Sequence, residues 1–191
     1  MALSSNLRLL GGRQCVVCLR ATLSRCACCT NDPEYVLACQ VRFDDLWAFD
    51  IHSAAWTLLE PDGARPPPRA HHTATFIEST STHPARLLIF GGYGGYRGAR
   101  TFFSDLFCLD LESMVWTPIQ ALGDAPPPRA DHAACLIDGK FLAIFGGRST
   151  SEYFNDIHIL QVDTMQWTTH KKMGNPHHWL ALCSHCVEVR P

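Results

Sequence analysis

Residues 87–92 read LLIFGG, and the same pattern returns as LAIFGG at residues 142–147. In both copies a short apolar run ends at a pair of glycines. Apolar runs of this length, when Gly, Pro or Asp bounds them, indicate a β-strand rather than a helix. The first copy continues as YGGYRG at residues 93–98, whereas the second continues as RSTSEY at residues 148–153. We therefore predict a repeated strand that is followed by a loop of variable sequence.

The repetition extends to both sides of the double glycine. Upstream, PPPR at residues 66–69 returns at residues 126–129, and in each copy a histidine stands three positions after the arginine. Downstream, DLFCLD at residues 105–110 corresponds to DIHILQ at residues 156–161, and a tryptophan stands eleven positions after each initial aspartate. The recurring residues are Arg69, His72, Gly91, Gly92, Asp105 and Trp116 in the first copy, and Arg129, His132, Gly146, Gly147, Asp156 and Trp167 in the second.

Each copy has room for four strands. A unit of four antiparallel strands and about 45–60 residues has the size of a propeller blade, so we predict an all-β fold. The predicted strands occupy residues 72–78, 86–91, 105–111 and 115–119 in the first copy, and residues 132–138, 140–146, 156–162 and 166–170 in the second.

The order of these features resembles the kelch repeat, which is marked by a double glycine at the end of the second strand and a tryptophan in the fourth. The resemblance covers residues 42–170, because DLWAFDIHSAAW at residues 45–56 supplies the third and fourth strands of a preceding unit. It implies a partial kelch-type β-propeller of about three four-stranded antiparallel blades.

The repeat divides the chain into five segments. Within the first of them, LRLLGG at residues 7–12 fits a degenerate second strand that ends in its own double glycine. The segments are an irregular Cys- and Arg-rich stretch at 1–41, a partial blade at 42–65, kelch repeats at 66–125 and 126–173, and a degenerate start of a further repeat at 174–191.

The number of blades in the sequence is smaller than a closed ring requires. Closed propellers usually have four to eight blades. An open set leaves sheet edges and an apolar blade face exposed, which favours aggregation. Three explanations stay open: the chain is a fragment of a longer protein, which we favour, or it closes a ring with a second chain, or it folds as an open arc.

In a propeller the recurring residues have structural roles. The double glycines end a strand where the backbone turns or passes close to a neighbour. The tryptophans offer a large apolar face for packing between blades. Arg69 and Arg129 follow proline runs, and we expect them to hydrogen-bond carbonyls or carboxylates between blades. His72 and His132 begin the innermost strand of each blade.

The loops that differ most between the copies leave the blades on one face, because alternate turns of an antiparallel meander lie at the same end. Binding residues usually sit on such loops of a rigid scaffold. Tyr and Arg are enriched at interface hot spots. A second interpretation, for Phe102 and Phe103 only, is that they pack against the blade edge. The predicted partner-binding residues are Tyr93, Tyr96, Arg97, Arg100, Phe102 and Phe103 in the first loop, and Arg148 and Tyr153 in the second.

The charge balance indicates which class of partner to expect. Formal net charge is −2, from 16 basic and 18 acidic residues, without a long run of like charge. Such a chain does not have the basic surface of a nucleic-acid-binding protein, and no apolar stretch approaches a membrane span. We therefore expect another protein as the partner, no nucleic acid and no membrane, in the cytoplasm or alternatively the nucleus. The N-terminal 31 residues carry arginines and no acidic residue, which also fits a transit peptide.

Two clusters of cysteines have some features of a zinc site. Structural zinc needs four ligands on tight turns, and neither cluster has the spacing of a recognisable finger. We therefore expect free thiols, with no bound metal and no cofactor. The clusters are Cys15, Cys18, Cys26, Cys28 and Cys29, and Cys183 and Cys186 with His177, His178 and His185.

The kelch resemblance implies a protein-interaction module that acts as a scaffold or adaptor. Some kelch propellers are copper oxidases and some plant members bind iron, so a metal-dependent enzyme is the alternative. The iron-binding type resembles a Glu-x-x-x-Asp-x-x-x-His pattern. Here Glu152 and Asp156 have the first spacing, but the third position is Leu160, and nothing marks a converging set of copper ligands. We therefore expect no catalytic residues and no enzyme.

Overall fold

The structure, a computed structural model, describes residues 7–10, 13–19, 44–95 and 100–170, with side chains for 44–95 and 100–168. Every regular element in these residues is a β-strand, which confirms the all-β class. In the same residues, no helix is long and apolar enough to cross a membrane. The strands in chain order are β1 (Leu7–Leu10), β2 (Arg13–Leu19), β3 (Leu46–Asp50), β4 (Ala55–Leu59), β5 (Asp62–Gly63), β6 (Thr73–Ile77), β7 (Arg86–Phe90), β8 (Tyr93–Gly94), β9 (Thr101–Phe102), β10 (Leu106–Asp110), β11 (Val115–Ile119), β12 (Leu122–Gly123), β13 (Ala133–Ile137), β14 (Phe141–Phe145), β15 (Ile157–Gln161) and β16 (Gln166–His170).

Three sheets repeat one layout, and we call them blades 1, 2 and 3. Blade 1 has the strand order β1-β2-β3-β4. Blade 2 has the order β6-β7-β10-β11 and blade 3 the order β13-β14-β15-β16, with β5 and β12 added at their outer edges. The strands β8 and β9 form a separate hairpin. Each end predicted for the eight strands of the two complete repeats lies within one residue of the observed end.

The stretch at residues 7–10 occupies a different place from the predicted one. Strand β1 lies at the edge of blade 1 and pairs with β2, and β2 in turn pairs with β3. Leu7–Leu10 is therefore the first strand of blade 1, and Arg13–Leu19 is the second. The prediction differed because it took the double glycine as a strand end and did not assign a strand to the Cys- and Arg-containing RQCVVCL. Strands β3 and β4 hold the third and fourth positions, as predicted.

A short strand from each linker extends the blade that follows it. Asp62–Gly63 runs parallel to β11, and Leu122–Gly123 runs parallel to β16. The amide of Leu122 donates a hydrogen bond to the carbonyl oxygen of Met165 over 2.9 Å. Each linker therefore pairs with the outermost strand of the next blade before the chain crosses to its innermost strand.

Adjacent blades pack through an apolar interface of repeated design. Between blades 1 and 2, Leu46 contacts a cluster that contains Leu109 and Trp116. Between blades 2 and 3, Phe90 packs against Trp167 with ring centroids 5.4 Å apart. Trp116 and Trp167 are only 4% and 3% exposed, so both rings fill the space between blades.

Replacing Gly123 by alanine tests the linker strand. The new Cβ would lie 2.3 Å from the Trp167 carbonyl oxygen, in addition to a φ of +83° that costs a residue with a Cβ about 1–2 kcal/mol. Gly139 is a matched control, because its φ is +68° and no atom lies within 4 Å of an added Cβ. We expect Gly123→Ala to lower the free energy of unfolding in urea by clearly more than Gly139→Ala. Equal losses would show that the linker strand does not stabilise blade 3.

Candidate functional site

The loops that join the second strand to the third leave blades 2 and 3 at the same end as the incoming linkers. We call this end the loop face. Backbone bridges join linker and loop in both blades: Ala70 pairs with Tyr93, and Ala130 pairs with Arg148. Within the described residues, each of these loops therefore lies against the linker of its own blade. The loops are those between β7 and β10 and between β14 and β15.

A fully buried arginine fixes the linker and loop of blade 3 to the sheet. Arg129 is 0% exposed, and its Nη1 and Nη2 donate to the two carboxylate oxygens of Asp156 over 2.6 and 2.9 Å. Nη1 also donates to the carbonyl oxygen of Gly146 over 2.8 Å, and Nε donates to that of Pro127 over 3.2 Å. The Phe154 ring covers the guanidinium, with Cζ 4.2 Å from the ring centroid. Burial of a cation is tolerated when its charge and its donors are satisfied in this way.

Arg69 repeats this arrangement in blade 2. Its guanidinium donates to both carboxylate oxygens of Asp105 over 2.6 and 2.8 Å and to the carbonyl oxygen of Gly91 over 2.9 Å. The ring of Phe103 lies 4.4 Å from its Cζ. The acceptors are carbonyls and carboxylates, as expected, but they belong to the arginine's own repeat and not to the neighbouring blade. Phe103 thus contacts the scaffold arginine.

The second glycine of each pair allows the linker to approach the loop. Gly92 and Gly147 have φ values of +89° and +91°. A Cβ at Gly92 would lie 2.7 Å from the carbonyl oxygen of Ala70, and one at Gly147 would lie 2.6 Å from that of Ala130. The bridges between linker and loop therefore require glycine at these positions.

Asp156 binds a histidine as well as Arg129. Burial by itself would raise the pKa of Asp156, but the hydrogen bonds and charges of Arg129 and His158 hold that pKa below its usual range. The Nε2 atom of His158 lies 3.1 Å from Asp156 Oδ2. Both carboxylate oxygens of Asp156 therefore already bond to protein groups. Glu152, which has the iron-type spacing to Asp156, is exposed. Within the residues whose side chains are described, no group of three or more His, Cys, Asp or Glu is placed to hold a metal ion.

Hydrogen bonds join blades 2 and 3 across the loop face. The carbonyl oxygen of Arg129 accepts a hydrogen bond from the Gly92 amide over 2.8 Å. The imidazole of His71, from blade 2, contacts the carboxylate of Asp131, from blade 3. Arg148 Nε donates to the other oxygen of that carboxylate over 2.6 Å. Burial would raise the pKa of Asp131, but His71 and Arg148 hold it below its usual range.

Tyr93 lies inside the loop face and is only 8% exposed. Its ring stacks on that of His71, with centroids 5.1 Å apart, and lies 5.6 Å from the ring of Phe102. The guanidinium of Arg100, which is exposed, lies 5.3 Å from the Tyr93 centroid. The predicted residues Tyr93, Arg100 and Phe102 are therefore brought together. Tyr96 and Arg97 lie outside the described residues.

The predicted residues Arg148 and Tyr153 form the adjacent part of the loop face. Their backbones form a β-bridge, so the loop of blade 3 folds back on itself. The side chain of Arg148 is 30% exposed and contacts Asp131. Tyr153 is 68% exposed, although it is a large aromatic residue. Among the described members of the predicted set, Arg100 and Tyr153 are the ones presented openly to solvent.

Two histidines at the start of the innermost strands are kept neutral. Burial, reinforced by the positive charge of the arginine of the same repeat, lowers the pKa of His72 and of His132 to about 3. His132 Nε2 lies 2.8 Å from Thr73 Oγ1, and its ring meets the Phe90 ring at 74°. The Nδ1 atoms of both histidines are buried and have no hydrogen-bond partner among the described residues.

Two features of this region were missed in the sequence. Gly63 and Gly123 both stand three positions before the proline run, so their recurrence could have indicated the linker strand. The position between Ala and His is His71 in one repeat and Asp131 in the next. A search for identical residues in the two copies overlooks this position, because its residues differ. The contact between them across the blades therefore could not be recognised in that way.

Blades of four antiparallel strands, with a recurring Arg, His, double Gly, Asp and Trp, define a kelch-type propeller domain. Comparison with known proteins agrees, because the model of the KLHDC2/KLHL20/DRC7 Kelch-repeats domain matches residues 28–190. The chain belongs to the kelch-repeat family.

Several curated relatives share this domain. Acyl-CoA-binding domain-containing protein 5 from Arabidopsis thaliana is 37% identical over 146 residues, which are 76% of this chain and 20% of the relative. Host cell factor from Drosophila melanogaster is 31% identical over 155 residues, covering 72% of this chain and 10% of the relative. Kelch repeat-containing protein 2 from Saccharomyces cerevisiae is 36% identical over 118 residues, covering 59% and 13%. The chain spans a fifth or less of the length of these relatives.

Removing the buried guanidinium should destabilise the domain strongly. We expect Arg129→Met to lower the free energy of unfolding by about 3–5 kcal/mol, because it leaves the half-buried Asp156 carboxylate without its guanidinium partner. Arg65→Met is the control, since Arg65 is exposed and its side chain donates a long hydrogen bond of 3.4 Å to the Pro61 carbonyl oxygen. Urea denaturation of both variants gives the comparison. Similar small losses would contradict the role assigned to Arg129.

The buried histidines should make stability depend on pH. Their folded-state pKa of about 3 is below the unfolded value of 6.5, so the unfolded chain takes up protons first as pH falls. The stabilisation is complete above pH 6.5 and is lost toward pH 3, by at most about 1.4 kcal/mol per pH unit for each histidine. We expect His132→Gln to reduce the slope of unfolding free energy between pH 7 and 5. The exposed His52→Gln should keep the wild-type slope, and a wild-type slope in His132→Gln would refute this explanation.

Proposed function

We propose that this chain is a protein-interaction module, of the scaffold or adaptor type, and that it binds a protein partner through the loop face. The observation that carries the proposal is that Tyr153 is 68% exposed on a loop whose base is fixed by the ion pair of the buried Arg129 with Asp156. Tyr and Arg are among the side chains most enriched at interface hot spots. Arg100 supplies the exposed cation on the neighbouring loop.

The contacts that fix the bases of the two loops support this function. Arg69 and Arg129 hold the loop bases, and the bridges of Ala70 and Ala130 hold the linkers against them. A preordered loop loses little conformational freedom when it binds, so more of the contact energy remains as affinity. Tyr93 lies beneath this surface, where its ring contacts the Arg100 guanidinium and stacks on the His71 ring.

The kelch-repeat domain itself supports an interaction role. Host cell factor and kelch repeat-containing protein 2 share this region with the chain.

Selection of peptides on the wild-type domain tests the proposal. A phage-displayed library of random peptides is enriched on the wild type, and the selected peptides are then titrated against the double variant Arg100→Ala/Tyr153→Ala. We expect a loss of at least about tenfold in affinity, which equals about 1.4 kcal/mol. Both substitutions remove exposed groups, so the urea midpoint should stay unchanged.

The matched control changes the opposite end of the blades. Lys140 and Glu112 are exposed residues in the β13–β14 and β10–β11 turns, so Glu112→Ala/Lys140→Ala should bind the peptides as the wild type does. Peptides that lose affinity only for this control variant, or that bind all three proteins equally, would place the binding surface elsewhere.

A further inference from the structure

Each blade has two different faces. The Trp face carries the repeat tryptophan, as in Trp116 of blade 2 and Trp167 of blade 3. The back face is the opposite side of the same sheet. At both contacts inside the chain, the back face of one blade packs on the Trp face of the next: Leu46 of blade 1 meets Trp116, and Phe90 of blade 2 meets Trp167.

The back face of blade 3 is open. Ile137 and Phe141 are 37% and 40% exposed, and they lie on this face with Ile159, beside Gln161 and Thr168. These five residues line a cleft of about 290 Å³. Ile77, which holds the place of Ile137 in blade 2, is 1% exposed because blade 3 covers it.

The Trp face of blade 1 is open as well. Trp56 is 50% exposed and Leu58 is 45% exposed, and the register of β3 and β4 puts them beside Phe49 and Trp47. The rings of Phe49 and Trp56 have centroids 4.8 Å apart. Trp116, at the equivalent position of blade 2, is only 4% exposed.

At three positions the two open faces carry a more apolar side chain than the covered face of blade 2. On the back face, Phe141 stands where blade 2 has Arg86, and Ile159 stands where it has Cys108. On the Trp face, Leu58 stands where blade 2 has Pro118. Exposed apolar patches of this kind mark interaction sites. The two faces are also of the two types that already pack together twice within the chain.

We propose that a second copy of this chain covers these faces, with the back face of blade 3 in one copy packed on the Trp face of blade 1 in the other. Each contact joins two different faces, so it is heterologous. A two-fold axis relates the two equal contacts of the dimer. The three described blades of each copy would together give six, within the usual range of four to eight for a closed ring. This interface uses sheet faces and leaves the loop face free, so it is independent of the proposed partner site.

Sedimentation equilibrium of the 191-residue chain tests this interface. We expect the wild type to have twice the 21.3 kDa mass of one chain. Phe141→Asp, on the back face, and Trp56→Asp, on the Trp face, should each be monomeric, because either change damages both copies of the contact. Circular dichroism of each variant should match the wild type, since both residues lie on the surface of a single chain.

An equal mixture of the two variants separates this geometry from others. The intact back face of Trp56→Asp can meet the intact Trp face of Phe141→Asp, so the mixture should regain a dimer through one undamaged contact. A symmetric back-to-back or Trp-to-Trp contact would leave one variant dimeric by itself and overturn the proposal. A monomeric wild type, or a species larger than a dimer, would overturn it too.

Discussion

The pairing of one buried guanidinium with one carboxylate is the constraint on which each repeat depends. In blade 3, Arg129 donates to both oxygens of Asp156 and also to the carbonyl oxygen of Gly146. The linker, the end of the second strand and the start of the third strand thereby meet at one point. Because an unpaired charge at this depth would be strongly destabilising, the three segments have little freedom to separate. The same geometry recurs at Arg69 and Asp105.

The rest of the loop face follows from that point. The linker must pass close to the loop, so the second glycine of each pair has no room for a Cβ. The bridges at Ala70 and Ala130 then place Tyr93 and Arg148 against the linkers. Arg100 and Tyr153 remain exposed beside these bridges, and they are the residues that we assign to partner binding. Scaffold and binding surface are thus parts of one hydrogen-bonded arrangement.

The two complete blades could be predicted from the sequence because the residues that mark their strand ends lie in or next to the strands themselves. Gly, Asp and Trp mark the strand ends, and two copies in register exclude a helical interpretation. The exposure of the loop residues could not be predicted, since Tyr93 is buried by a hairpin that folds back on the linker. The pairing of His71 with Asp131 was equally hidden, because it joins different residue types in different blades. Strand β1 was assigned to the wrong position because blade 1 lacks the full set of recurring residues that marks the two complete repeats.

Hydrogen exchange in an Asp156→Asn variant tests most directly whether the arginine pair holds the loop face together. The amides of Ala130, Arg148 and Phe154 donate to carbonyl oxygens over 2.9, 2.9 and 2.8 Å in the bridges that depend on this pair. We predict that these amides lose protection far more than those of β14, which pair within the sheet. Equal changes in both groups, or unchanged protection of the loop amides, would contradict the view that Arg129 and Asp156 organise the loop face.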